Sequence, residues 1–258
     1  MHLRRIAALF LVVSVAGLTA AMARPARPQT PPYFTSEKQL YELCGLQPGL
    51  KGVPPACEVY IRGVIDYIEL NDWAMMRTGR SLQPSWCAEP TLTLDQITRT
   101  VLRYLATHAH QGGQPAAASA YLALADGFPC SRKPRPPAPP LDAGQTPPAY
   151  TSGQALFESC RSTEAESGPS ICNFYIMGVL DDIALQDWTM MSLGRAHRPA
   201  WCARSPLVAG QADKIVLSYL VAKPAARREP AAEDVYMALA QAFPCTGAPP
   251  ARDRWSNT

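Results

Sequence analysis

The chain has 258 residues, 47% hydrophobic and 17% charged, with a net charge of +3. That length allows one or two domains, each with enough apolar material for a core. A charge this close to neutral excludes the electrostatic footprint of a nucleic-acid binder and gives no attraction to an anionic membrane surface.

The N-terminus reads as a secretory signal. His2-Leu3-Arg4-Arg5 is a short basic start, Ile6 to Ala20 is an apolar core of signal length, and Ala21-Met22-Ala23 is a small-residue cleavage site. Residues 1–23 are therefore expected to be removed, leaving a mature chain that starts at Arg24 and carries a net charge of +1 once Arg4 and Arg5 are gone. The apolar run is shorter than the ~20 residues that span a bilayer, so the mature chain is expected off the membrane, in the periplasm or outside the cell. Eight cysteines agree with that oxidising setting. With no CxxC anywhere, zinc is a poor alternative to disulfides.

The cysteines expose an internal repeat. They fall at 44, 57, 87 and 130, then at 160, 172, 202 and 245, with gaps of 13, 30 and 43 followed by 12, 30 and 43. Cys57–Cys87 aligns with Cys172–Cys202 without a gap, and 17 of 31 positions are identical in the frame C-x-x-Y-I-x-G-V-x-D-x-I-x-L-x-D-W-x-M-M-x-x-G-R-x-x-x-P-x-W-C. The chain is thus a duplication, with domains expected at 31–131 and 147–246, a proline-rich linker at 132–146 and a disordered tail at 247–258. Seven prolines between Ser131 and Tyr150 exclude helix and sheet there and predict an extended spacer.

Each repeat reads as four helices, and the class as all-α. The first starts at Thr35/Ser36 (Thr151/Ser152), hydroxyl residues that cap helix N-termini, and ends near Cys44 (Cys160). The second, about 57–79 (172–194), carries Tyr60, Ile61, Val64, Ile65, Ile68, Met75 and Met76 at three- and four-residue steps and stops at Gly79 (Gly194). The third, about 94–108 (210–222), opens on a Thr93/Gln96 capping box and buries Ile97, Val101, Leu102, Tyr104 and Leu105. The fourth begins at Pro115 (Pro230) and carries Tyr121, Leu122, Leu124, Ala125 and Phe128. The cysteines then sit at helix ends, which favours bridges 44–57, 87–130, 160–172 and 202–245, although four cysteines per repeat allow three pairings. Each bridge is worth roughly 3–4 kcal/mol on the chain-entropy account.

No catalytic constellation recurs in both copies. His108 and His110 have no counterpart in the second repeat and His197 has none in the first, so they read as surface residues. The shared acids Asp66 and Asp72 (Asp181 and Asp187) point about 120° apart on a helix, which is poor geometry for paired carboxylates. Asp66 and Asp181 are expected to hydrogen-bond within the fold, and Asp72 and Asp187 to be solvated. Trp86 and Trp201 are expected to pack on the neighbouring bridges, and Met75-Met76 and Met190-Met191 to be core. Trp73 and Arg80, like Trp188 and Arg195, are seven residues apart on one helix face. They form either a cation–π brace or a partner-binding hot spot, since both residue types are enriched in one. No cofactor, metal or catalytic residue is expected.

The pattern C-x-x-Y-I-x-G-V-x-D around Tyr60–Asp66, followed by V-L-x-Y-L at Val101–Leu105 and the closing Phe128-Pro129-Cys130, resembles the Rap/Tai family of immunity proteins, and the second copy repeats it. Domain one departs at Gly127, where the second copy has Ala242. The resemblance covers both domains. It implies small exported helical proteins of type VI secretion that bind, as homodimers, a peptidoglycan amidase with a papain-like Cys-His site and occlude its cleft. For this chain it implies a protein partner, an amidase effector, engaged by a monomer with pseudo-dimeric tandem domains or by a homo-oligomer. The contact loops would be those where the repeats differ most, 45–56 against 161–171 and 106–114 against 222–229. The alternative is a periplasmic structural or adaptor protein that keeps the fold and has another partner.

Overall fold

The computed structural model describes residues 35–45, 53–79, 84–87, 92–108, 114–130, 151–162, 170–194, 199, 201–203, 207 and 209–245. The expected signal, linker and tail lie outside the described residues, as do Arg80, Arg195, His110 and His197. Among the described residues the fold is all-α. Repeat one contains α1 (Glu37–Leu43), α2 (Pro55–Arg77), α3 (Leu94–His108) and α4 (Ala116–Gly127). Repeat two contains α5 (Gly153–Ser162), α6 (Ile171–Ser192), α7 (Ala209–Ala222) and α8 (Ala231–Ala242), with a 3-10 turn at Ala226–Arg228 before α8.

The helix ends follow local chemistry. Ser36 Oγ accepts from the Gln39 amide while Gln39 Oε1 accepts from the Ser36 amide, and Thr93 and Gln96 repeat this reciprocal cap on α3. Gly79 and Gly194 take φ of 66° and 65° just past α2 and α6, the left-handed conformation that ends a helix. α2 starts earlier than expected, at Pro55 with Pro54 as cap, because a proline in the first turn forfeits only an N–H that has no helical partner. Pro115 and Pro230 likewise cap α4 and α8 from outside and are not their first residues. Each is bridged to the start of its repeat's first helix, with Ala116 N–H donating to Thr35 and Ala231 N–H to Thr151.

Four disulfides close the repeats. Cys44–Cys57 joins the end of α1 to the start of α2, and Cys87–Cys130 joins the segment after α2 to the end of α4; Cys160–Cys172 and Cys202–Cys245 do the same in repeat two. No bridge crosses from one repeat to the other. Trp86 is buried beside its bridge and leans on Phe128 with ring centroids 5.6 Å apart, while Trp201 is partly buried against the second core.

The repeats are held together by α2 and α6, which make the largest helix–helix contact among the described residues. Gly63 and Gly178, equivalent residues, face each other there: a Cβ on Gly63 would collide with the Tyr175 carbonyl, and one on Gly178 with the Tyr60 carbonyl. Three residues to either side of each glycine stand Tyr and Asp, and these pair across the contact. Tyr60 Oη donates to Asp181 at 2.6 Å and Tyr175 Oη donates to Asp66 at 2.7 Å. Asp181 also accepts from the Thr35 amide at 3.0 Å. The expected bonding of Asp66 and Asp181 therefore runs between the repeats, where it ties one to the other. α4 packs on α6 and α8 on α2, and Tyr67 and Leu70 of α2 complete the core of repeat two. The two halves are one interleaved body.

One internal exchange shows how closely the copies compensate. In repeat one the buried Glu37 accepts from Ser119 Oγ at 3.0 Å. The equivalent pair in repeat two is Gly153 and Asp234, and Asp234 Oδ2 lies where a side chain on residue 153 would begin. The carboxyl thus moves from the first helix to the fourth while its buried position is kept.

Gly63→Leu is expected to force α2 off α6 and cost about 1–3 kcal/mol as an overpacked contact, read as a lower thermal midpoint. An unchanged midpoint would mean that the helices do not meet at these glycines.

Candidate partner-binding cleft

Beyond the glycine contact, the C-terminal halves of α2 and α6 flank a cavity of about 470 Å³. Equivalent residues line it in pairs: Asn71 with Gln186, Ala74 with Thr189, and Met75 with Met190. Both repeats therefore contribute to the cavity.

The wall that α4 supplies breaks that symmetry. Tyr121 and Leu122 of α4 line it and remain 37% and 40% exposed, whereas Tyr236, the counterpart of Tyr121 on α8, is 3% exposed in the core of repeat two. The cause is legible at one position. Repeat one has Tyr67, which fills the second core; repeat two has Asp182 in the equivalent place. A short acid leaves unfilled the volume that an aromatic ring occupies on the other side, and the cavity opens there.

Asp182 is buried and accepts from Gln186 Nε2 at 2.8 Å. Burial pushes its carboxyl up to about 8 against the pull of the Gln186 hydrogen bond, with the charges of Asp72 and Asp181 adding to the rise. Burial also lifts Asp181 to about 6, outweighing the hydrogen bonds from Thr35 and Tyr60. Burial, and then the adjacent acid, raise Tyr60 and Tyr175 well above the ordinary tyrosine range, so both stay protonated donors. Among the described residues no group of three or more His, Cys, Asp and Glu side chains is placed to hold a metal ion, and no helix is long and apolar enough to cross a membrane. The arrangement offers a recess with an acid at its floor and an apolar rim.

Comparison with protein families decides what kind of protein presents this recess: the Rap1a immunity proteins match the chain twice, over residues 36–130 and 152–245. The chain belongs to the Rap1a immunity protein family. No curated protein and no solved structure matches it. An immunity protein acts by binding a secreted protein effector, so this Rap1a immunity protein has immunity as its function and a protein as its partner.

The sequence-predicted site residues divide. Trp73 is 8% exposed and Trp188 is half-buried. The cation over the Trp73 ring is Arg77, at 5.0 Å, one helical turn away; Arg80 and Arg195 fall outside the described residues. Asp72, expected to be solvated, is buried, because Ser85 folds back on it and donates to it from both its amide (2.6 Å) and its hydroxyl (2.7 Å). Asp187 is half-buried and lines the cleft. Met75 and Met190, expected in the core, are cleft walls, and Met191 is 40% exposed. Tyr121 and Leu122, which the sequence placed on the fourth helix, stand at the cleft rim. His108 is exposed and stacks on Tyr104. Sequence reasoning missed Asp182 and Gln186; the available signal was an acid in the apolar stripe of α6 where the otherwise matching frame has tyrosine.

The raised carboxyls set a pH dependence. A folded pKa above the unfolded value means that the folded state holds a proton the unfolded chain has released. The associated stability is fully present below the unfolded value of ~3.9 and is lost as pH rises. It is lost through about 6 for Asp181 and about 8 for Asp182, with Glu233 (about 7) and Asp234 (about 8), also lifted chiefly by burial, acting in the same direction. The denaturation midpoint is therefore expected to be higher at pH 5 than at pH 9, and Asp182→Asn is expected to flatten the upper part of that decline. A midpoint that rises with pH over this window contradicts the buried, proton-holding acids.

Proposed function

We propose that this Rap1a immunity protein works in the periplasm and neutralises a secreted peptidoglycan amidase by occupying its active-site cleft. The observation that carries the reading is the family match on both repeats joined to one asymmetric, apolar-rimmed recess. Steric occlusion needs a rigid surface with a few buried anchors and no chemistry of its own. Tyr121 and Leu122 supply partly exposed apolar side chains at the rim of the recess. Trp188 is half-buried, and Arg80 and Arg195 close the W-x-M-M-x-x-G-R stretch of each repeat. Four disulfides suit an oxidising compartment. The pairing of α2 with α6 inside one chain supports a single molecule as the acting unit.

The test is capture with the mature protein from periplasmic extract and culture supernatant, followed by a peptidoglycan hydrolysis assay with and without it. The expected result is a captured amidase whose activity disappears at one equivalent of the protein. A captured partner with no hydrolase activity, or a hydrolase that keeps its activity when bound, overturns the reading in favour of an adaptor.

A further inference from the structure

We propose that Cys87–Cys130 is a redox latch on the cleft: a dithiol opens this bridge while the interior bridges stay closed, and the opened bridge frees the Ser85 wall of the cavity. The proposal deepens the immunity reading above and rests on it for the cleft being the place where the partner binds.

The four bridges are of two kinds. In Cys44–Cys57 and Cys160–Cys172 no cysteine is more than 4% exposed. Cys87 and Cys130 are each half-buried, and Cys202 is exposed with Cys245 half-buried. Thiol–disulfide exchange requires a thiolate to reach one sulfur of the bridge, so the accessible bridges are the labile ones. One sulfur of the dithiol bonds to a sulfur of the bridge, and the other cysteine leaves as a thiolate and takes up a proton. The second thiol of the reductant then displaces the bound cysteine and closes the reductant's own disulfide. Two electrons pass to the cystine, which becomes two thiols.

Only one of the two accessible bridges reaches the cleft. Cys87 lies two residues after Ser85, which lines the cavity, and Cys130 lies three residues past the end of α4, which brings Ala118 and Tyr121 to it. The bridge therefore ties two walls of the cavity to each other. The other ties on the Ser85 segment are non-covalent: the Cys87 N–H donates to the Phe128 carbonyl at 3.0 Å, Trp86 leans on Phe128, and Ser85 donates to Asp72. Without the cross-link this wall exchanges between docked and released positions, as a short segment held by a few local contacts does. In repeat two Ala200 stands where Ser85 stands in repeat one, and none of residues 201–203 lines the cleft. Cys202–Cys245 is thus accessible without being coupled to the cavity, and it serves as the internal control.

The test uses the full mature chain with its methionine methyls labelled for NMR. It is titrated with dithiothreitol, and the thiols released at each step are trapped with N-ethylmaleimide and located by peptide mass. Cys87, Cys130, Cys202 and Cys245 are expected to be trapped at reductant concentrations that leave Cys44, Cys57, Cys160 and Cys172 unlabelled. As Cys87–Cys130 opens, the methyl signal of Met75, a wall of the cavity, is expected to shift and to return on reoxidation. The signal of Met237, packed on the second core, is expected to stay in place and marks a chain that is still folded. Cys202→Ser together with Cys245→Ser is expected to keep the Met75 response. Cys87→Ser together with Cys130→Ser is expected to show the shifted Met75 signal before any reductant is added. Opening of all four bridges in one step, a Met75 signal that stays put while Cys87 and Cys130 are trapped, or one that follows Cys202–Cys245 overturns the latch. Because these readouts need no effector, failure of the latch and failure of the amidase reading are separate results.

Discussion

Two long helices can approach backbone to backbone only where neither carries a side chain, and in this protein that place is Gly63 against Gly178. The close approach brings Tyr60 within reach of Asp181 and Tyr175 within reach of Asp66. A buried carboxyl without a partner is expensive, so these acids are tolerated only while the opposing tyrosines are docked. Sliding one helix past the other by a turn would strand both acids at once. The glycines set the distance and the tyrosine–aspartate pairs set the register, and together they turn two copies of a small helical unit into one body.

The rest of the architecture follows from that contact. With α2 and α6 fixed, α4 and α8 each settle against the long helix of the other repeat, and Tyr67 reaches across to finish a core that is not its own. The disulfides act at a different level. They hold helix ends within each repeat and leave the union of the repeats to packing and hydrogen bonds. Pairing within one chain also frees the two halves from having to be identical. The replacement of tyrosine by Asp182, which opens the cleft on one side only, is a change that a symmetric pair of identical chains has to make twice.

What sequence made legible was local. Helix spans came from the three-and-four spacing of apolar residues, helix starts from Ser36 and the Thr93–Gln96 box, and stops from Gly79 and Gly194. The cysteine pairings followed because the helices put those residues side by side. What sequence concealed was tertiary. Asp72 looked like a solvated helix residue because the Ser85 that buries it comes back from thirteen residues further along. Met75 and Met190 looked like core because their spacing is apolar, and spacing carries no information on whether the facing volume is filled. The Tyr-x-x-Gly-x-x-Asp pattern was visible in both copies, but its partner was the other copy, which only the relative placement of the repeats reveals.

The most direct test of the central claim is to place a specific protease site in the connector between residues 132 and 146, cut the folded mature protein there, and measure its mass in solution without reducing agent. No disulfide joins the halves, so after cleavage only the α2–α6 contact and the packing it organises hold them. The account predicts a cut protein that sediments at the mass of the uncut chain. Two folded fragments that separate and sediment independently would contradict it.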